Sequence, residues 1–301
     1  MNPVGISTTR SAPSCAGRSA ATPPRPPRLP SCVVAASARP SRPAAEAARA
    51  GADFLRMRPA RLAPLLFATS ALAADRPALP TAHTMRVVEG WTVRGDDRLL
   101  AGESVALGER ALKVLEARLV ALAVVVREPA LAKLRAVTSQ LDRDYDGLRP
   151  MQYHPSRGWL KGKGNAESLA KCGHIPDAGN FPSPLDIHRM PWAVLHELAH
   201  ACHDRVLGFD EPRLGAAREK FRASGKYKSV LTSYGAMREH YGLNNGKEFL
   251  AGMTESYFGS NDFFPFVAGD PKQTEPGIFD LMAAIGGPLP RNERRRGAPK
   301  S

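Results

Sequence analysis

The segment from Trp192 to Asp204 contains His196-Glu197-Leu198-Ala199-His200, an instance of H-E-x-x-H. On a helix, residues four apart share a face, so His196 and His200 aim two imidazoles at one point. Glu197 falls about 100° around the axis, from where its carboxylate reaches a water on a metal without itself being a ligand. Imidazole pairs of this kind suit zinc, which lowers the pKa of a bound water from 15.7 toward about 7 and polarises a carbonyl. The spacing therefore predicts hydrolysis by a Glu-activated, zinc-bound water. His196 and His200 are the expected ligands of one Zn2+ per chain, and Glu197 is the expected general base. Leu195, Leu198 and Cys202 form the apolar face of this helix, and Gly208 falls where a C-cap belongs.

Zinc needs a third protein ligand. The metzincin pattern would place Gly at position 203 and His at position 206, but the chain has His203 and Val206, which excludes that class. His203 lies one turn beyond His200, and ligands on three consecutive turns would strain a single ion. It is read as a packing residue or as a support for a ligand. The alternative source is a carboxylate on a later helix. Residues 246–258 offer two: Glu248 in the first turn and Glu255 seven residues on, near the same face. A Glu at a helix start also complements the helix dipole, which is a purely structural reason for Glu248.

Around these residues the chain reads His-Glu-Leu-Ala-His, then Arg238-Glu239-His240-Tyr241-Gly242-Leu243-Asn244, Lys247-Glu248-Phe249-Leu250-Ala251 and Asn261-Asp262-Phe263-Phe264-Pro265-Phe266. This run resembles the metallopeptidase domain of the anthrax toxin lethal factor type, and more closely a set of secreted bacterial and fungal homologues of it. The similarity extends over roughly residues 86–285 and is densest over 190–266. It implies a zincin-like fold and a zinc metalloendopeptidase of the gluzincin kind. The third ligand is then the Glu that opens the family's E-F-F-A-E run, here Glu248. A Tyr seven residues earlier, here Tyr241, is implied as a second catalytic residue that stabilises the oxyanion. The chain departs from the pattern at Gly252, where the family carries a second Glu that supports a ligand; Glu255 is a candidate substitute.

The elements that must position these groups are legible from periodicity. Val87, Val88, Trp91 and Val93 around Gly90 predict a strand or hairpin. Leu112, Leu115, Leu119, Leu122 and Val126 recur at helical spacing and predict an amphipathic helix whose stripe is core. Residues 130–136 read as helix and 137–143 as an edge strand. Residues 153–160 read as a turn-rich aromatic stretch. Further helices are expected over 190–207, 211–223, 246–258 and 275–285. Several helices with a few short strands predict an α+β, zincin-like single catalytic domain over residues 75–290.

The chain carries a formal net charge of +13, a value that suggests nucleic acid until it is located. Residues 1–74 hold ten Arg against Glu46 and Asp53, and the tail 291–301 holds four Arg and one Lys against Glu293, so 75–290 is nearly neutral. Basic ends without interleaved aromatics read as solvated tails, so no nucleic-acid partner is expected. Residues 1–56 are a Pro-, Ala- and Arg-rich leader of low complexity, read as a spurious extension ahead of Met57. Residues 57–74 have the basic start, short apolar run and Ala71-Leu72-Ala73 close of a signal peptide. The mature chain is expected to be secreted or periplasmic, without stable insertion in a membrane. Cys15 and Cys32 lie in the leader, leaving Cys172 and Cys202 free or paired with each other. A peptide or protein is the expected substrate. Two other readings stand beside this one: a secreted zinc-binding protein without catalysis, for which Gly252 is the argument, and a zinc hydrolase of a non-peptide bond.

Overall fold

The computed structural model describes residues 80–290 apart from Thr81, Asp146, Gly147 and Arg149. The leader, the signal and the basic tail lie outside the described residues. The fold is mixed α+β and mostly helical, with one five-stranded sheet. Strands β1 (His83–Val88) and β2 (Trp91–Asp96) form the hairpin expected around Gly90. Both turn residues, Glu89 and Gly90, have positive φ, the backbone that matches the twist of the flanking strands in a two-residue hairpin. β3 (Ser139–Leu141) pairs parallel to β2, and β5 (Gly173–Ile175) pairs parallel to β3. β4 (Gln152–Tyr153) runs antiparallel along β5, giving the order β1-β2-β3-β5-β4.

The segment expected at a sheet edge is therefore interior, since β3 has a neighbour on each side. Polar residues sit in this interior strand and just after it. Gln140 and Asp142 are buried and satisfy each other through a 2.8 Å hydrogen bond from Gln140 Nε2 to Asp142 Oδ2. A parallel β2–β3 pair requires a long crossover, supplied by α1 (Val105–Val125) and α2 (Ala130–Arg135). The buried face of α1 is Gly108, Ala111, Leu115, Leu119 and Leu122; of the expected stripe, Leu115, Leu119 and Leu122 lie on it, Val126 is buried just past the helix end, and Leu112 is only partly buried. Two short helices, α3 (Arg157–Gly162) and α4 (Pro184–Arg189), were not foreseen. Both start from a Ser whose side chain accepts an N–H of the first turn, Ser156 from Trp159 and Ser183 from Asp186.

The remaining helices are α5 (Ala193–Cys202), α6 (Pro212–Ala223), α7 (Gly246–Phe258), α8 (Gly269–Thr274) and α9 (Pro276–Gly286). A two-stranded ribbon, β6 (Val230–Leu231) with β7 (Met237–Arg238), lies between α6 and α7. α5 continues through a π-type turn, His203–Leu207, to Gly208. No helix among the described residues is long and apolar enough to cross a membrane. Cys172 and Cys202 are both free thiols.

α5 and α7 pack against each other and share one core, with Val194, Leu195 and Leu198 from α5 and Phe249, Leu250 and Met253 from α7. Two close approaches set their alignment. Trp192, at the N-terminus of α5, lies on Gly259 at the C-terminus of α7, where a Cβ would stand 2.2 Å from the indole. The turn Tyr241–Leu243 folds back on α7 through Gly242, where a Cβ would meet His240 Nδ1 at 3.0 Å and Phe249 Cα at 3.1 Å. Any larger residue at either position forces the helices apart or displaces Tyr241.

Candidate metal centre

Asn245 caps α7 by accepting the N–H groups of Lys247 and Glu248, which fixes Glu248 in the first turn, facing α5. His196 and His200 lie one turn apart on the opposing face, with ring centroids 4.7 Å apart and planes at 87°. His196, Glu197 and His200 present ligand-type atoms that all lie within 4.8 Å of one another, the geometry of a group that could hold a metal ion. Glu248 Oε2 lies 3.1 Å from His196 Nε2 and 3.5 Å from His200 Nε2. Neighbouring ligand atoms in a tetrahedron with zinc–ligand distances near 2.0–2.1 Å are separated by about 3.3 Å. Glu248 Oε2 thus stands from each of the two imidazoles at the spacing of neighbouring corners of such a tetrahedron.

Either Glu197 or Glu248 could complete the trio by distance alone, and their surroundings distinguish them. Glu197 Oε2 accepts the backbone N–H of Tyr153 on β4 at 2.6 Å, and its other oxygen has no hydrogen bond among the described residues. Burial raises the pKa of Glu197, opposed by His196, His200 and the Tyr153 amide. A carboxylate shifted upward, tethered at one oxygen and free at the other, is suited to taking up a proton. Burial would also raise Glu248, but hydrogen bonds with His196 and His200 outweigh it and hold that group at about 2. Glu248 therefore stays an anion, as a metal ligand must.

His196 is gripped from behind. Its Nδ1 is 2.9 Å from Glu255 Oε2, so an Nδ1–H donated there leaves the Nε2 lone pair facing Glu248. Two lone pairs at 3.1 Å repel unless a cation lies between them, either a metal or a second proton on the ring. Burial works against a charged His196, but the hydrogen bonds to Glu248 and Glu255 prevail and raise its pKa well above that of free histidine. The site favours positive charge at this point. Burial pushes Glu255 up to about 7, with His196 pulling it down.

Gly252 does not face the histidines. A Cβ there would meet Asn261 and His240, so the support for His196 comes from Glu255, one turn further along α7. His203 stands apart from the converging group. It is buried edge-on against Phe209, 5.2 Å between centroids, and neither ring nitrogen has a hydrogen-bond partner. Tyr241 is half-exposed and lines the same cleft of about 650 Å³ as His196, Glu197, His200 and Glu248. Burial, then the charges of Glu248 and Glu197, raise its pKa and keep the phenol protonated as a donor.

Sequence reasoning missed Tyr153. Its backbone holds Glu197, and its hydroxyl donates to Asp204 Oδ2 at 2.7 Å, so β4 is fastened to the middle of α5 and to the π-type turn that follows it. No spacing rule links residues 44 positions apart in the chain through a backbone N–H. No protein-family model, curated protein or solved structure matches the chain.

Proposed function

We propose that the chain is a zinc-dependent metallopeptidase of the gluzincin kind, the reading that its resemblance to the lethal factor type also implies. The observation that carries it is the approach of one oxygen of Glu248 to both Nε2 atoms at near-tetrahedral spacing, with Glu197 tethered beside them. His196, His200 and Glu248 would hold zinc, which when bound supplies a Lewis acid for the carbonyl and lowers the pKa of water. Glu255 orients His196 through Nδ1. Glu197 takes the proton of the attacking water on its free oxygen and passes it to the leaving amine. Tyr241 donates to the carbonyl oxygen as negative charge develops there. A cleft of about 650 Å³, walled by residues such as Met151, Ile187, Met190 and Phe263, accommodates an extended peptide with apolar side chains.

The test is zinc content together with cleavage of casein and a peptide library by the purified chain. Zinc with cleavage supports the proposal, and zinc without cleavage of any peptide contradicts it. Glu197→Gln should keep its zinc and lose about 10²–10⁴-fold in turnover. Tyr241→Phe should keep zinc and KM and lose about 10–100-fold in kcat. An unchanged kcat in that variant would reduce Tyr241 to a wall of the cleft.

A further inference from the structure

α1 forms part of the wall of the cleft, and the charges on that flank are unbalanced. Arg118 lines the cleft together with His196, Glu197 and His200. A second groove of about 560 Å³ shares Val114, Arg118 and Ile187 with the cleft and continues between Arg110, Lys113 and Glu109. Arg110, Val114 and Arg118 are four residues apart and so lie on one face of α1, with Lys113 beside them. The depression at the metal centre therefore runs on along a helix flank carrying three cations and one acid.

Among the described residues no ion pair neutralises Arg110, Lys113 or Arg118. Arg118 is half-buried and has no hydrogen bond or ion pair among the described residues; burial, unopposed by any anion, lowers its pKa. Arg110 gives an N–H to Pro182 O at 3.3 Å. Of the carboxylates of the cleft, Glu248 and Glu255 are engaged with His196, Glu197 with Tyr153 and Asp186 with Ser183, and Asp262 makes no ion pair with Arg118. A guanidinium fork on a cleft wall, unpaired with any carboxylate among the described residues, is shaped to accept one from a ligand, in bidentate fashion.

We propose that the groove along α1 is a subsite for acidic side chains of the peptide whose scissile bond lies at the metal centre, which makes acidic peptides the preferred substrate class. This rests on the peptidase reading. Arg118 takes the Glu or Asp nearest the cleaved bond, and Lys113 and Arg110 take the next ones outward. Each exposed pair adds little alone, so the preference comes from several acting together and weakens with salt.

The test separates the subsite from the chemistry by measuring binding. The full chain, zinc-loaded and carrying Glu197→Gln, is titrated into fluorescein-labelled peptides centred on Leu-Leu. One carries a run of Glu before the centre, one carries it after the centre, and one carries Gln throughout. Each is made as a C-terminal acid and as an amide. One of the two Glu peptides should bind about tenfold tighter than the Gln peptide at low ionic strength, whether acid or amide, and lose most of that advantage in high salt. Arg118→Gln, which removes the half-buried cation nearest the centre, should remove most of the preference. Lys113→Glu, at an exposed position where folding is not at risk, should at least halve it. Equal binding of Glu and Gln peptides would overturn the subsite, as would a preference surviving both substitutions. A preference that follows the C-terminal carboxylate would replace acidic side chains by the chain end and overturn the substrate class. Charge-selective binding by a chain that cleaves none of these peptides in its Glu197 form would overturn the peptidase reading and leave an acidic-peptide groove. Cleavage without charge preference would do the reverse.

Discussion

His196 and His200 project from one helix into an open cleft, whereas His154 and His174 meet inside the protein, at one end of the sheet. The inner pair is joined as tightly as the outer one. His154 Nε2 is 3.1 Å from His174 Nδ1, His174 Nε2 is 2.8 Å from Asp142 Oδ2, and His83 Nε2 is 2.7 Å from Asp142 Oδ1. By inventory this cluster of three histidines and an aspartate offers one more imidazole than the outer site. Its ring nitrogens face each other and Asp142, whereas His196, Glu197 and His200 present ligand-type atoms to one point. Electrostatics separates the two regions further. Burial holds His154 neutral, with its pKa down to about 4, and lowers His174 against the pull of Asp142. His196 is raised instead, because Glu248 and Glu255 face it. A metal site requires nitrogens left pointing at a shared opening beside an anion; the inner cluster is a strut. It braces β4 and β5, and β4 carries the Tyr153 amide that tethers Glu197.

If the inner cluster is structural, removing its anion should damage folding and spare the metal. Asp142 accepts hydrogen bonds from His83, Gln140 and His174 while buried. Asp142→Ala should cost about 3–5 kcal/mol in denaturant unfolding, yet the folded fraction should bind zinc at the wild-type stoichiometry. Loss of zinc with unchanged stability would erase the distinction between the two regions.

The histidines should also titrate in opposite senses, which carbon-13 NMR of the metal-free protein can read. His154 should stay neutral until about pH 4, while His196 should remain protonated well above 6.5. For His154 the unfolded chain accepts a proton near 6.5 that the fold refuses until about 4. Its stabilising contribution is thus complete above 6.5 and is lost as pH falls through that window, roughly 2 kcal/mol by pH 5. A common midpoint for the two rings would contradict the contrast. The smallest effect expected is at Glu255. Glu255→Gln should weaken zinc affinity by about 10–100-fold in competition with a chelator, without changing stoichiometry at saturating metal.

The same contrast explains what could be read from sequence. His196, Glu197 and His200 were legible because one helix turn brings them together, and the five residues spell their own geometry. The stripe on α1 and the long helices α6, α7 and α9 were legible for the same reason, as local periodicity. Glu248 and Glu255 could be placed on a helix but not assigned by spacing, because the choice depends on how α7 lies on α5, which the contact between Trp192 and Gly259 determines. The strut was illegible. His83, Asp142, His154 and His174 come from four separate segments, and burial of polar groups hides the central position of β3. Short helices capped by a single Ser, such as α3 and α4, carry too few residues to show a period.

The central claim is that Glu248, on a second helix, completes the metal site begun by His196 and His200. Zinc content of the Glu248→Ala protein after dialysis, set against wild type and Glu255→Ala by metal analysis, tests it most directly. Wild type should hold one zinc per chain and Glu248→Ala should hold none, with circular dichroism unchanged. A full complement of zinc in Glu248→Ala, with Glu255→Ala metal-free, would transfer the ligand to Glu255 and contradict the account.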